Sequence, residues 1–210
     1  MIYQVDSIVG DVRVCLDQNM VSDALLATGD IDTLSLDEII RSKVREAVRR
    51  VHSEAPFHLL EEGHNFGDNL YWGDQCSGWV LLPHDFMRLV VFEMSDWERP
   101  VFEAITPADA SYALQRSRFK GIRGTAQRPV CAIATRGEGK VLEFYSCKSE
   151  EATVSRAVYI PYPEIADGGI DICERCYDAV VYTVAGLTLL SCGEVEKATS
   201  LFELAKTYLQ

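Results

Sequence analysis

The chain has 210 residues, of which 48% are hydrophobic and 25% charged, and its formal net charge is −12 at pH 7. These proportions are typical of a globular domain that buries a core without disulfides, and the acidity disfavours a chain that wraps around nucleic acid. The longest apolar run, residues 179–190, is well short of the roughly twenty residues that span a bilayer, so no membrane role is expected. The first residues lack the pattern of a secretory signal.

Two helices are predicted at the start of the chain. Apolar residues share one face over residues 5–18, and residues 20–27 add a further helical turn before a break at Gly29. A longer helix is predicted from Leu36 to Glu54, because Ser35 and Glu38 have the spacing of a capping box and apolar residues then recur every three or four positions.

The middle of the chain predicts an antiparallel sheet, preceded by an irregular stretch over residues 57–79. In the best hairpin, a glycine-containing turn over residues 136–139 joins two strands, and Leu142 and Phe144 are expected on the face opposite Glu143 and Tyr145. The predicted strands cover residues 79–82, 87–93, 129–135, 140–147 and 155–160.

The last third predicts a helical hairpin that closes around Gly193, a residue suited to the left-handed position at a helix end. Its first helix carries the apolar stripe Cys176, Val180, Val184 and Leu187, and its second carries Val195, Ala198, Leu201, Phe202, Ala205 and Tyr208. The predicted fold class is therefore α+β, with a helical core and an inserted antiparallel sheet. The expected parts are residues 1–56, 57–165 and 166–210, with the hairpin packed on the N-terminal helices within a single domain.

The seven cysteines are an odd number, and most lie in apolar patterns, which predicts buried free thiols in a reducing compartment. Those in apolar helix or strand patterns are Cys15, Cys131, Cys147 and Cys192. Cys173 and Cys176 form a single Cys-x-x-Cys without the second ligand pair that zinc requires. A structural role is favoured for them, and metal binding or redox chemistry remain the alternatives.

No catalytic, cofactor-binding or metal-binding residue is predicted, and the chain is not expected to be an enzyme. His58 and His64 flank Glu61 and Glu62, but the spacing differs from that of the zinc-binding His-Glu-x-x-His helix. No serine lies in a Gly-x-Ser-x-Gly turn. An enzyme whose site is assembled from His58, Glu61, His64 and His84 remains the least favoured alternative.

Two basic clusters stand out in this acidic chain. They predict charge-complementary contact between copies or with a partner, and a solvated helix face is the alternative for the first cluster. The first contains Arg41, Lys43, Arg45, Arg49 and Arg50, and the second contains Arg116, Arg118, Lys120, Arg123 and Arg128.

Three segments carry a resemblance to a known class of proteins. Residues 32–40 (DTLSLDEII), and residues 81–89 (LLPHDFMRL) followed by 94–97 (MSDW), resemble proteins encoded by Bacteroides phages and prophages, including the crAss-like group. The pattern from residues 177–182 (YDAVVY) through 196–198 (EKA) is similar to the closing helices of tailed-phage head-to-tail connector proteins. These segments are packing patterns and carry no chemistry themselves.

The resemblance implies a structural virion protein of the neck, between capsid and tail, that is present in the host cytoplasm during assembly. Its implied partners are further copies of itself in a ring, typically of twelve, the portal protein, and other neck or tail rings, with DNA only as passing cargo. An intracellular binding or regulatory module without a ring is the alternative. The candidate interface residues are Arg41, Arg45, Arg49, Trp97, Arg116, Arg118 and Arg123, and for Trp97 a core position is equally expected.

Overall fold

The computed structural model describes residues 1–17, 35–60, 63–119, 121–145 and 147–210. The predicted turn over residues 20–27, Glu61, Glu62 and Lys120 lie outside the described residues. The described helices are α1 (Val5–Asp17), α2 (Leu36–Glu54), α3 (Ala110–Leu114), α4 (Tyr177–Ser191) and α5 (Val195–Thr207). The described strands are β1 (Ile2–Gln4), β2 (His64–Asn65), β3 (Leu70–Trp72), β4 (Gly78–Leu81), β5 (Phe86–Met94), β6 (Cys131–Arg136), β7 (Gly139–Phe144), β8 (Val154–Pro161), β9 (Ile165–Ala166) and β10 (Gly169–Asp171).

The chain divides into two compact units, and the predicted α+β class is confirmed. The helical unit comprises Met1–Glu62 and Tyr162–Gln210, and the sheet unit comprises Gly63–Pro161. The sheet unit is thus inserted between two segments of the helical unit, with boundaries a few residues from the expected 56/57 and 165/166. None of the helices in the described ranges is both long and apolar enough to cross a membrane.

Helix α2 spans the residues that its sequence pattern predicts. The Ser35 side chain accepts from the Glu38 backbone N–H, and the Glu38 carboxylate accepts from the Ser35 backbone N–H, which completes the capping box. Ile40, Val44 and Val48 are fully buried along one face. Local periodicity and capping therefore suffice to define this helix.

Helix α4 lies at the centre of the helical unit, where it packs against α1, α2 and α5. The single apolar stripe predicted for this helix accounts for only part of its buried surface, because α1, α2 and α5 together bury most of the circumference of α4. Its buried residues are Ala179, Val180, Val181, Thr183, Val184, Ala185, Gly186, Leu187, Thr188 and Leu189. The hairpin turns at Gly193, whose φ of +84° is the predicted left-handed conformation.

Helix α5 buries less than its sequence pattern predicts. Ala198 and Ala205 are buried, but Val195 and Tyr208, both assigned to the stripe, are exposed. The reason is that α5 packs mainly on α4, where the Phe202 ring lies against Gly186. Tyr208 instead stacks its ring on Tyr182, with centroids 5.3 Å apart.

A small antiparallel sheet in the helical unit, with the order β1–β10–β9, is absent from the sequence prediction. The N-terminal amine of Met1 forms an ion pair with Asp171 at 2.7 Å, next to the register pair of Ile2 and Asp171. Strands of two or three residues are too short to show a period of two, so sequence periodicity could not find them.

The cysteines lie outside any disulfide among the described residues, as predicted, but only some of them are buried. Cys131, Cys173 and Cys176 are buried, whereas Cys15, Cys147 and Cys192 are partly exposed. The Cys-x-x-Cys pair belongs to a short 3-10 turn that precedes α4 rather than to the helix itself. No group of three or more potential metal ligands occurs in the described part of the chain.

His52 is a buried polar residue of α2 that the sequence does not single out. The backbone N–H of Cys173 donates to its Nε2 atom at 3.2 Å, which requires that nitrogen to be unprotonated. Burial lowers the pKa of His52 from about 6.5 to about 4. The folded helical unit therefore contains a neutral imidazole that becomes charged only in acid.

Acidification is expected to destabilise the helical unit through His52. Because the folded pKa is depressed, the stabilisation is complete above about pH 6.5 and is lost as the pH falls toward 4. The difference in unfolding free energy between wild type and His52→Gln should change by roughly 2 kcal/mol between about pH 7 and pH 5. Urea titrations at several pH values measure it, and His58→Gln, at an exposed position, is the matched control. Parallel pH profiles for wild type and His52→Gln would contradict this role.

The sheet unit contains two antiparallel sheets rather than the predicted one. Their strand orders are β2–β8–β5 and β3–β4–β7–β6. All five predicted strands are present to within a few residues, and Gly139, at φ +132°, begins β7 directly after the tight turn that joins it to β6. Their shared core is rich in aromatic residues, among them Phe92 and Phe144, whose rings stack with centroids 6.1 Å apart.

Strand β7 departs from the expected alternation. Leu142 and Phe144 are buried, but so are Glu143 and Tyr145, which were expected on the opposite face. That opposite face is covered because Tyr112, in α3, reaches Glu143. A charged residue is thus held at a buried position, and this arrangement leads to the candidate site.

Candidate functional site

The predicted arginines of α2 lie four residues apart and form an exposed row, which we call the arginine face: Arg41, Arg45 and Arg49. Arg41 forms an ion pair with Asp6 of α1. Arg45 donates from Nε to the Pro163 carbonyl at 2.9 Å, and the Arg49 guanidinium lies 5.8 Å from the Tyr162 ring centroid. Within the described ranges, neither Arg45 nor Arg49 forms an ion pair with a carboxylate.

Trp97 belongs to the core of the sheet unit. Only 7% of its surface is exposed, and its ring meets Phe92 edge-to-face with centroids 5.7 Å apart. Trp72 of the same unit packs edge-to-face on Phe144. Of the two alternatives left open for Trp97, the structure supports the core position, because a buried indole offers little surface to a neighbour.

Members of the second basic cluster separate in the structure. Arg116 and Arg123 line the same cavity in the sheet unit, which has a volume of about 360 Å³. Arg118 and Arg128 are exposed and do not line it. Of the four members of this cluster that the structure describes, two therefore line the cavity, and Arg136, which the sequence did not single out, joins them.

Glu143 lines this cavity and is 6% exposed. Arg136 donates to one carboxylate oxygen through Nε and Nη2, at 2.8 and 2.6 Å. The other oxygen accepts from the Tyr112 hydroxyl at 3.0 Å and from the Tyr145 hydroxyl. The Arg136 guanidinium also lies 3.9 Å from the centroid of the Trp79 ring, a cation–π geometry that fixes its plane.

The protonation states follow from this network. Burial alone raises the pKa of Glu143, but hydrogen bonds from Tyr145, Arg136 and Tyr112 outweigh it, and the net pKa lies below its ordinary value. Burial and the hydrogen bond to Glu143 raise the pKa of Tyr145 well above its ordinary value. Glu143 is therefore an anion and Tyr145 a neutral donor at physiological pH, which suits a positioning network better than proton transfer.

The rim of the cavity contains unusual backbone. Gln75 and Cys76 have φ values of 61° and 54°, in the left-handed region that non-glycine residues rarely occupy. Arg123 binds this turn, donating to the Gln75 side-chain oxygen at 2.8 Å and to its backbone carbonyl at 3.2 Å. On another wall, Gln115 is 5% exposed and accepts from the Gly124 backbone N–H at 2.8 Å. The cavity is thus a built structure with ordered walls.

The histidines considered for an enzymatic site are all exposed: His58, His64 and His84. His64 contacts the edge of the Tyr159 ring, and none of the three lines the cavity.

Sequence reasoning missed the hydrogen-bond network around Glu143, which comprises Tyr112, Arg136, Glu143 and Tyr145. One signal was available, because Glu143 is a charged residue within the otherwise apolar strand segment of residues 141–145. The alternation of side chains along a strand predicted that Glu143 faces solvent. Only the contact with α3, which is distant in sequence, shows that this side is covered.

Comparison with models of known protein families gives no match for the chain, and comparison with curated proteins gives none either.

Proposed function

We propose that this chain is a structural subunit of a tailed-phage neck, an adaptor that forms a ring below the portal through which DNA passes. The proposal rests on the sequence resemblance to head-to-tail connector proteins. The structural observation that supports it best is the arginine face on α2, whose charges are only partly compensated by residues that the structure describes.

The arginine face suits contact between identical subunits. Among the described residues, Arg45 contacts a neutral carbonyl and Arg49 a neutral ring, so their charges stay uncompensated there, while the whole chain carries a net charge of −12. A ring subunit uses two different surfaces to meet its two neighbours, and a basic face on one side complements an acidic face on the other. An acidic ring interior would also repel the DNA backbone, so that DNA passes without binding.

The helical unit also presents apolar surface at one end of the α4–α5 hairpin. Leu190, in the last turn of α4, and Val195, the first residue of α5, are 44% and 58% exposed. They lie on either side of the Gly193 turn. Apolar side chains at a loop tip are suited to burial in an assembly, where they add to the charge contact.

Purified protein is expected to form closed rings, with twelve copies as the implied number, visible by negative-stain imaging and measurable by light scattering. Reversing two charges with Arg45→Glu and Arg49→Glu together should reduce the ring fraction at least tenfold, because it places like charges against the neighbour. The unfolding free energy should change by only about 1 kcal/mol, since both side chains are exposed.

Arg50→Glu provides the control on the same helix. Arg50 forms an ion pair with Glu46 within α2 at 2.5 Å, so its reversal should leave the ring fraction unchanged. A strict monomer at every protein concentration would overturn the ring proposal. Rings that persist in the double variant would exclude the arginine face from the contact.

A further inference from the structure

The charges that line the cavity of the sheet unit do not balance. Three guanidinium groups, from Arg116, Arg123 and Arg136, meet two carboxylates, from Asp74 and Glu143. Three positive and two negative charges leave one positive charge in excess, in a chain with a net charge of −12. The cavity therefore favours an anion, although the protein as a whole repels one.

Two of the three guanidinium groups are available to that anion. Arg136 is committed to Glu143 and stacked on Trp79. Arg116 lies over the Tyr112 ring, 5.7 Å from its centroid, and Arg123 binds the neutral Gln75. Neither Arg116 nor Arg123 forms an ion pair with a carboxylate among the residues that the structure describes.

We propose that this cavity binds the carboxylate of an acidic side chain from a partner protein, with Arg116 and Arg123 as its ligands. Guanidinium groups match the planar, two-oxygen geometry of a carboxylate. The excess of one positive charge matches a singly charged ion, whereas a phosphate dianion would overcompensate it beside Asp74 and Glu143. The volume of about 360 Å³ is at the lower end of the range of ligand-binding cavities and accommodates a side chain with some flanking backbone.

The Glu143 network explains why the cavity would keep its shape without an occupant. Two hydrogen bonds to Glu143 and the stacking on Trp79 fix Arg136, and Arg123 fixes the left-handed turn at Gln75 on the rim. A preorganised site avoids the entropic cost of ordering its side chains when it binds. This inference goes beyond the proposed ring and does not depend on it, because binding can be measured on the isolated protein.

The test uses a capped glutamate, N-acetyl-glutamate N-methylamide, which carries one carboxylate on an otherwise neutral backbone. The reporter is the indole N–H signal of Trp79, a lining residue, in ¹⁵N-labelled full-length protein. A saturable shift is expected with capped glutamate at constant ionic strength, and none is expected with the isosteric capped glutamine. No saturable shift, or the same shift with glutamine, would overturn the proposal.

Substitutions of Arg116 and Arg123 test whether these two residues bind the carboxylate. Arg116→Gln should weaken binding of the capped glutamate about tenfold, since a charge-assisted hydrogen bond is lost. Adding Arg123→Gln should abolish the Trp79 shift, and Arg118→Gln, an exposed member of the same sequence cluster, should bind like wild type. Because Arg123 also holds the Gln75 turn, the single Arg116 variant decides the outcome if the double variant is misfolded. Equal affinity of Arg116→Gln and wild type would refute the assignment.

A nucleic-acid phosphate is the competing occupant. Inorganic phosphate and a short DNA duplex are titrated under the same conditions, with the same Trp79 signal. The proposal expects both to bind more weakly than capped glutamate. If either bound more tightly than capped glutamate, and Arg116→Gln abolished that binding, the occupant of the cavity would be a phosphate group and not a protein carboxylate.

Discussion

Replacing Gly78 with alanine is expected to destabilise the sheet unit by about 3 kcal/mol. Gly78 begins β4, where it pairs with Trp72 of β3 and Phe144 of β7. A Cβ atom at this position would overlap the fully buried Phe144 ring and the backbone carbonyl of Tyr71. The carbonyl belongs to the β3–β4 ladder and cannot move without loss of hydrogen bonds, so the strain cannot be relieved locally.

Urea unfolding followed by tryptophan fluorescence measures this loss. Gly137→Ala is the matched control, because it makes the same chemical change in the β6–β7 turn, where a Cβ meets nothing within 4 Å. The control should remain within about 0.5 kcal/mol of wild type. Similar unfolding midpoints for Gly78→Ala and Gly137→Ala would show that β3, β4 and β7 do not pack as described.

Replacing Glu143 with alanine is expected to cost about 3 kcal/mol as well, for an electrostatic reason. The change removes the acceptor for the Arg136 guanidinium and for the Tyr112 and Tyr145 hydroxyls at once. Buried donors that lose their partner keep the cost of desolvation, and a buried ion pair broken on one side typically loses 3–5 kcal/mol. Partial exposure of Arg136 places the expected loss at the lower end of that range.

Glu138→Ala supplies the comparison, since Glu138 is an exposed carboxylate in the turn that precedes β7. Its loss should change stability by no more than about 0.5 kcal/mol. Tyr145→Phe should lie between the two variants, because it removes one hydrogen bond and leaves the other three. If Glu143→Ala were as stable as Glu138→Ala, the network would not contribute to the fold.

The candidate cavity shows where sequence reasoning stops. Arg116 and Arg123 attracted notice as members of a basic cluster, but nothing in the sequence distinguishes them from Arg118. Arg136 and Glu143 lie on neighbouring strands and join the site through pairing of β6 with β7. Tyr112 comes from α3, a five-residue helix without a periodic signal. The site is a product of long-range contacts between short elements.

What the sequence by itself determined is the α+β class, the extent of α2, the α4–α5 hairpin around Gly193, and the main strands. These features depend on capping, periodicity and turn chemistry, which are properties of residues close together in the chain. The tertiary structure alone decided that the middle forms two sheets, that α4 is buried on most sides, and that Glu143 lines a cavity together with three arginines. Burial depends on which elements lie against one another, and residues distant in sequence determine that packing.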